Sequence, residues 1–198
     1  MMRNLLVIII QFISGSIMYS YLIAKMLHID LRKVRDGNPG GYNLWISAGW
    51  KFGLLGIFLD YFKGMFPLNL FIHYGIVTEP NIISLAALAG IAGHAFSPML
   101  YFNGGKAIAT SFGAWTLLTN GEAVLFLGII LLILVLIFGT TTPEEDAKKV
   151  IVGFSSLSIY VAYKVLTGMS HLLILYIGNL SIIYYKHRKE LLYKRSNN

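Results

Sequence analysis

The sequence predicts an all-α, polytopic integral membrane protein: one membrane domain over residues 1–198, with about seven transmembrane helices, an outside N-terminus and a cytoplasmic C-terminus. Three observations carry this. Only 13% of the residues are charged and the mean hydropathy is +0.67, too apolar for a soluble domain. Several windows approach the ~20 apolar residues that cross a bilayer. The net charge of +7 comes from basic residues set between apolar runs, which reads as topology and not as a nucleic-acid surface. Cysteine is absent, excluding disulfides, thiolate metal sites and a cysteine nucleophile. The five histidines (His28, His73, His94, His171, His187) show no ligand spacing, so neither metal nor cofactor is expected.

The first apolar run, Leu5 to roughly Leu27, has no clear cleavage site and its positive charges follow it, so it reads as a retained first helix. Gly15 and Ser16 within it let a neighbouring helix pack closely. Residues 28–51 form a polar connection. A second span covers Phe52 to about Gly75, and a third covers Asn81 to about Tyr101. Ala107 to Leu118 is too short to cross comfortably and reads as a half-span or a steeply packed helix. Gly121 to Phe138 is uniformly apolar and is the expected lipid-facing span. Residues 140–146 form a loop that starts a helix, with Thr142 as cap, Pro143 in the first turn and three acids at the positive end. Val150 to about Leu166 and His171 to Tyr185 are the last spans, and a basic tail covers 186–198.

An outside N-terminus puts 28–51, 102–106, 140–149 and 186–198 in the cytoplasm. Arg32, Lys33, Arg35, Lys51, Lys106, Lys148, Lys149, Lys186, Arg188, Lys189, Lys194 and Arg195 fall there, while little beyond Arg3 remains outside. The bias follows the positive-inside rule.

Five features could carry chemistry. Gly104-Gly105-Lys106 follows an apolar run: two glycines admit close backbone approach, a helix start adds its positive end, and Lys106 adds a point charge. It reads as an anion site or as a tight turn between helices. Asp36-Gly37-Asn38-Pro39-Gly40-Gly41-Tyr42-Asn43 reads as an anion-binding concavity or as a flexible loop. Asp60 and Lys63 share one helix face; inside a membrane they form a neutralising structural pair or hold a headgroup. His94 reads as a hydrogen-bonded helix-end histidine or a catalytic group, and His187-Arg188 as a snorkelling anchor or part of a site.

These pieces occur in an order that resembles a known family. Gly15-Ser16, Ala24-Lys25, Asp30-Leu31-Arg32, Gly37-Asn38-x-Gly40-x-x-Asn43, Leu59-Asp60-x-x-Lys63-Gly64, Gly93-His94, Phe102-x-Gly104-Gly105-Lys106, Ala109-Thr110 and His187-Arg188 together resemble the bacterial acyl-phosphate:glycerol-3-phosphate acyltransferases, the PlsY type. The resemblance runs almost the full length. It implies a fold of about seven membrane helices and transfer of a fatty acyl group from acyl phosphate to glycerol 3-phosphate, or a related acceptor, on the cytoplasmic side of a bacterial-type cell membrane. It implies no metal, leaves any protein partner unnamed, and makes membrane lipid the surroundings. Lys106, His94 and Asp36 are the catalytic candidates. Gly37, Asn38, Gly40, Asn43, Gly104, Gly105, Asp60, Lys63 and His187 are the substrate-binding ones.

Four positions depart from that pattern. Asp36 stands where the family has serine, Ile46 where it has arginine, Gly153 near an expected serine, and Glu190 where it has asparagine. A carboxylate ~4 Å from a phosphate costs roughly 4 kcal/mol per charge pair at an effective dielectric near 20. Three readings follow: an acyltransferase with rearranged phosphate contacts; one whose acceptor has changed, with Asp36 or Glu190 binding hydroxyls or an amine or acting as a base; and a non-catalytic relative that binds lipid or a partner. A transporter is a fourth, without an inverted repeat behind it.

Overall fold

The structure, a computed structural model, describes residues 2–139 and 142–192. Thr140, Thr141, Lys194 and Arg195 lie outside the described residues. Among the described residues all regular structure is helical: α1 Met2–Ser16, α2 Tyr19–Met26, α3 Gly41–Ala48, α4 Trp50–His73, α5 Pro80–Ala95, α6 Ile108–Thr119, α7 Glu122–Phe138, α8 Pro143–Leu166 and α9 Leu172–Leu192, with short 3-10 turns at Leu31–Lys33 and Pro98–Leu100. Four stretches are long and apolar enough to cross a membrane, Met2–Met26, Trp50–His73, Pro80–Leu100 and Pro143–Leu166, and α7 is a shorter apolar helix. The chain is an all-helical, multi-pass integral membrane protein.

Where the elements differ from expectation, a tertiary contact decides. The first run is not one helix. It breaks at Ile17-Met18, where the Lys63 ammonium donates to the Ile17 carbonyl and Ser97 Oγ donates to the Ser16 carbonyl at 2.5 Å. Carbonyls freed at a helix end need such donors. The polar connection 28–51 contains α3, which packs on α4 through Gly53, where an added Cβ would lie 2.4 Å from Trp45 Cβ. α5 ends at Ala95, short of the expected Tyr101, and α9 runs into the tail as far as Leu192. α8 starts as expected: Thr142 Oγ1 accepts from the Glu145 amide at 3.2 Å, with Glu144, Glu145 and Asp146 in its first turn.

Backbone proximity at glycines sets the helix packing. A Cβ at Gly15 would lie 2.0 Å from the Gly90 carbonyl oxygen, and one at Gly93 would lie 2.1 Å from that of Phe12. α1 and α5 therefore touch backbone to backbone, which is how helices associate where burial from water supplies no drive. α4 and α6 meet likewise at Gly64 and Gly113. Around these seams lies a core that includes Leu68, Ile91, Trp115, Leu157 and Leu175. One polar chain is buried with it and paired: Trp115 Nε1 donates to Asn179 Oδ1 at 2.9 Å, and Asn179 Nδ2 donates to Ser111 Oγ at 2.8 Å. α7 leaves Leu125, Leu132, Leu136, Ile137 and Phe138 exposed, as a lipid-facing helix should.

The basic connections gather at one end of the bundle. Arg35 on the first pairs with Asp146 at the start of α8 at 2.5 Å. Arg32 donates to the Asn103 carbonyl, and Lys186 of α9 donates to the carbonyls of Ala95 and Gly104 at 3.0 and 2.8 Å. At the other end, Glu122 pairs with Lys164 at 2.6 Å and accepts from Tyr160 at 3.0 Å.

Candidate active site

The site forms where the 34–41 loop crosses the 102–107 loop. Turn chemistry shapes the first. Gly37 has φ +70°, a conformation glycine adopts without cost, and Asn43 Nδ2 reaches back to Val34 O, Asp36 Oδ1 and Asn38 O at 2.9, 2.8 and 2.9 Å. Asn43 is buried and spends its amide on holding this loop. The second loop is tied to α5: the Gly105 amide donates to His94 O at 3.1 Å. Gly104 and Gly105 are required by closeness, since a Cβ at either would lie 2.0 Å from His94 O or 2.3 Å from His94 Nε2. Tyr101, Phe102 and Ala107 all have positive φ, strain of the kind that clusters at functional sites.

The two loops meet directly. The Lys106 amide donates to Asn38 Oδ1 at 3.1 Å. The Lys106 ammonium pairs with Asp36 Oδ2 at 2.7 Å and with Glu190 Oε1 of α9 at 2.9 Å. Asp36 also accepts from the Asn38 amide at 3.2 Å and has Arg35 Nη1 at 3.7 Å. Burial works to raise the Asp36 pKa, but Lys106, by hydrogen bond and charge, together with Asn43 and the Asn38 amide, holds it below its ordinary 3.8. His187 is buried nearby with Nδ1 2.8 Å from the Ile183 carbonyl; that contact calls for the proton on Nδ1 and leaves Nε2 an acceptor.

Beside this ion cluster a cavity of about 510 Å³ runs between helices, of a size that takes small ligands. Its walls include Tyr42, Leu54, Ile57, Phe58 and Phe112; Asn38, Lys106, His94 and Asp60 give it polarity, and Ala107, Ile108 and Ala109 bring the start of α6 to it. First-turn amides without intrahelical partners there favour negative charge. Behind the wall, Asp60 pairs with Lys63 at 2.8 Å and accepts from Ser20 Oγ at 2.6 Å. His94 Nδ1 lies 3.8 Å from Asp60 Oδ1 and 3.2 Å from Thr110 Oγ1. The Asp60–Lys63 pair thus joins α4 to the α1–α2 break and to His94.

Most residues picked out in the sequence converge here, with three differences in detail. Of the glycine amides expected to cradle an anion, those of Gly105 and Gly37 are bonded within the protein, to His94 O and Val34 O. Asn43 is engaged in its own loop. Gly153 is away from the cluster, in α8 against Leu131 and Leu127, with Ser156 Oγ donating to its carbonyl at 2.7 Å. Sequence reading placed Glu190 as a departure from a pattern but did not foresee it as a partner of Lys106. Helix-face geometry held the signal, since Glu190 lies three residues beyond His187.

An apolar groove between membrane helices with a lysine in its lining suits a membrane enzyme that acts on a lipid chain with a polar head. The profile of the family described as Glycerol-3-phosphate acyltransferase matches residues 5–195. Glycerol-3-phosphate acyltransferase 1 of Thermotoga maritima is 53% identical over 196 residues, covering 96% of this chain and 97% of the relative. The Thermosipho melanesiensis glycerol-3-phosphate acyltransferase is 32% identical over 157 residues, 79% of this chain and 74% of that one. The crystal structure of PlsY, an integral membrane glycerol 3-phosphate acyltransferase, in its glycerol 3-phosphate form superposes with a TM-score of 0.82 at 26% identity, covering 95% of this chain and 90% of that one. Its lysophosphatidic acid form gives 0.81 at 25%, covering 95% and 89%. The chain belongs to the glycerol-3-phosphate acyltransferase family of phospholipid biosynthesis.

Proposed function

We propose that this protein transfers a fatty acyl group from acyl phosphate to a hydroxyl of glycerol 3-phosphate, at the cytoplasmic face of the cell membrane. The acceptor oxygen bonds to the acyl carbon, the carbon–oxygen bond to phosphate breaks, and the hydroxyl proton leaves with the released phosphate or through a site base. The donor is already activated, so positioning both substrates supplies much of the acceleration. The acyl chain lies in the groove between Tyr42, Leu54, Ile57, Phe58 and Phe112, with its head at Lys106. The ammonium and the first turn of α6 steady the oxyanion that forms as the hydroxyl attacks. His94 stands at the inner wall as the proton acceptor, with Asp60 and Thr110 behind it. Asn38, Gly37 and Gly40 shape the acceptor's side, and His187 closes it. Asp36, a weakened base, holds Lys106 in place.

The topology we infer has about seven membrane segments in one domain, with the N-terminus outside and the C-terminus cytoplasmic. The gathering of the basic connections at one end of the bundle supports it. The observation that carries the activity is Lys106 at the polar end of the apolar cavity. The test is product formation by purified protein in lipid supplied with acyl phosphate and glycerol 3-phosphate. Lysophosphatidic acid is the expected product, and no turnover from well-folded protein would point to a non-catalytic relative.

A further inference from the structure

Lys106 brings three N–H donors to the site, and two carboxylates already claim it, at 2.7 and 2.9 Å. Both are largely shielded from solvent, their side chains 6% and 13% exposed, so water screens them little. Asp36 is pinned from four sides by Lys106, Asn43 Nδ2, the Asn38 amide and Arg35. Glu190 has its second oxygen buried without a hydrogen-bond partner among the described residues. A phosphate dianion drawn to Lys106 would come within a few ångströms of two negative charges, at an ammonium already hydrogen-bonded to Asp36 and ion-paired with Glu190. A carbonyl oxygen needs only one donor and, being uncharged, meets no such repulsion. Two other cations flank the same loop: Arg32 through the Asn103 carbonyl and Lys186 through that of Gly104. Among the described residues neither has a carboxylate within ion-pair distance.

We propose that Asp36 and Glu190 are specificity-determining residues, keeping the Lys106 ammonium for the uncharged acyl carbonyl and turning phosphate dianions toward Arg32 and Lys186. This rests on the acyltransferase reading for the identity of the carbonyl. The charge selection itself does not need turnover to be measured. Like charges at this range repel by enough to change affinity tenfold or more. Removing one carboxylate should therefore tighten phosphate binding, where loss of an ordinary binding residue would weaken it.

The experiment is calorimetric titration of inorganic phosphate into purified protein in lipid nanodiscs. The unsubstituted chain is compared with Glu190→Gln and with Arg32→Gln, after thermal unfolding has verified that each is folded. Glu190→Gln should lower the Kd for phosphate at least tenfold, and Arg32→Gln should raise it at least tenfold. A Kd for Glu190→Gln equal to or weaker than that of the unsubstituted chain overturns the proposal. Should that variant not fold, an unchanged Kd in Arg32→Gln overturns it instead. Because the readout is binding, a chain with no acyl transfer would sink the functional reading and leave this test intact.

Discussion

Replacing Lys106 by methionine should abolish acyl transfer and also weaken the fold. The second effect comes from what the lysine holds apart. Its ammonium lies 2.7 Å from Asp36 and 2.9 Å from Glu190, with all three side chains less than 15% exposed. Removing one partner of a buried ion pair costs about 3–5 kcal/mol, because the orphaned charge stays buried. Against a total stability of roughly 5–15 kcal/mol this is a large fraction. At about 2–4 °C per kcal/mol for a chain of this size, the unfolding midpoint should drop by roughly 6–20 °C. Loss of activity could then be blamed on unfolding, so a second variant is needed. Lys106→Met combined with Asp36→Asn and Glu190→Gln removes all three charges and should recover most of the midpoint. It should recover none of the acyl transfer, since the donor to the developing oxyanion is still missing. The assay is lysophosphatidic acid formation beside a thermal scan on the same preparation. Turnover within tenfold of the unsubstituted enzyme in the single variant, or restored turnover in the triple one, would refute the role given to Lys106.

Two further outcomes concern helix packing and acid stability. Gly15→Ala puts a methyl 2.0 Å from the Gly90 carbonyl; overpacking against backbone should cost about 1–3 kcal/mol, read as a lower thermal midpoint, whereas Gly128→Ala on α7, with nothing within 4 Å of the added Cβ, should hold or raise it, since alanine favours a helix interior over glycine. Asp36 gives the fold an acid dependence. Its folded pKa lies below the ordinary 3.8, so its stabilisation is full above the unfolded value and is lost as pH falls through the folded one. A midpoint measured between pH 6 and pH 3 should be flat and then fall below about 4, and Asp36→Asn should flatten that fall.

Legibility in the sequence was uneven, and the reasons are physical. Local chemistry could be read directly. Thr142, Pro143 and the three acids after it mark a helix start because the first-turn amides need partners nearby, and Thr142 caps Glu145 as they indicate. The spacing of Asp60 and Lys63 predicted a shared face, and they pair at 2.8 Å. Gly15 signalled close packing, without naming Gly90 as its neighbour. The break after Ser16 left no such mark, because it depends on Lys63 and Ser97, far along the chain. α3 was hidden in a run rich in turn residues whose helix is held against α4.

By itself the sequence determined that this chain enters a membrane, roughly where four of its long apolar stretches fall and which connections carry positive charge. Those properties depend on apolar length and local charge, which each segment carries alone. Which face of each helix turns inward was beyond it, because lipid makes an exposed face as apolar as a buried one and erases the usual periodicity. Only the tertiary structure decided that Asp36 and Glu190, 154 positions apart by subtraction of their residue numbers, would share one lysine. An ion pair forms through space, and nothing along the chain fixes that distance until the helices have packed.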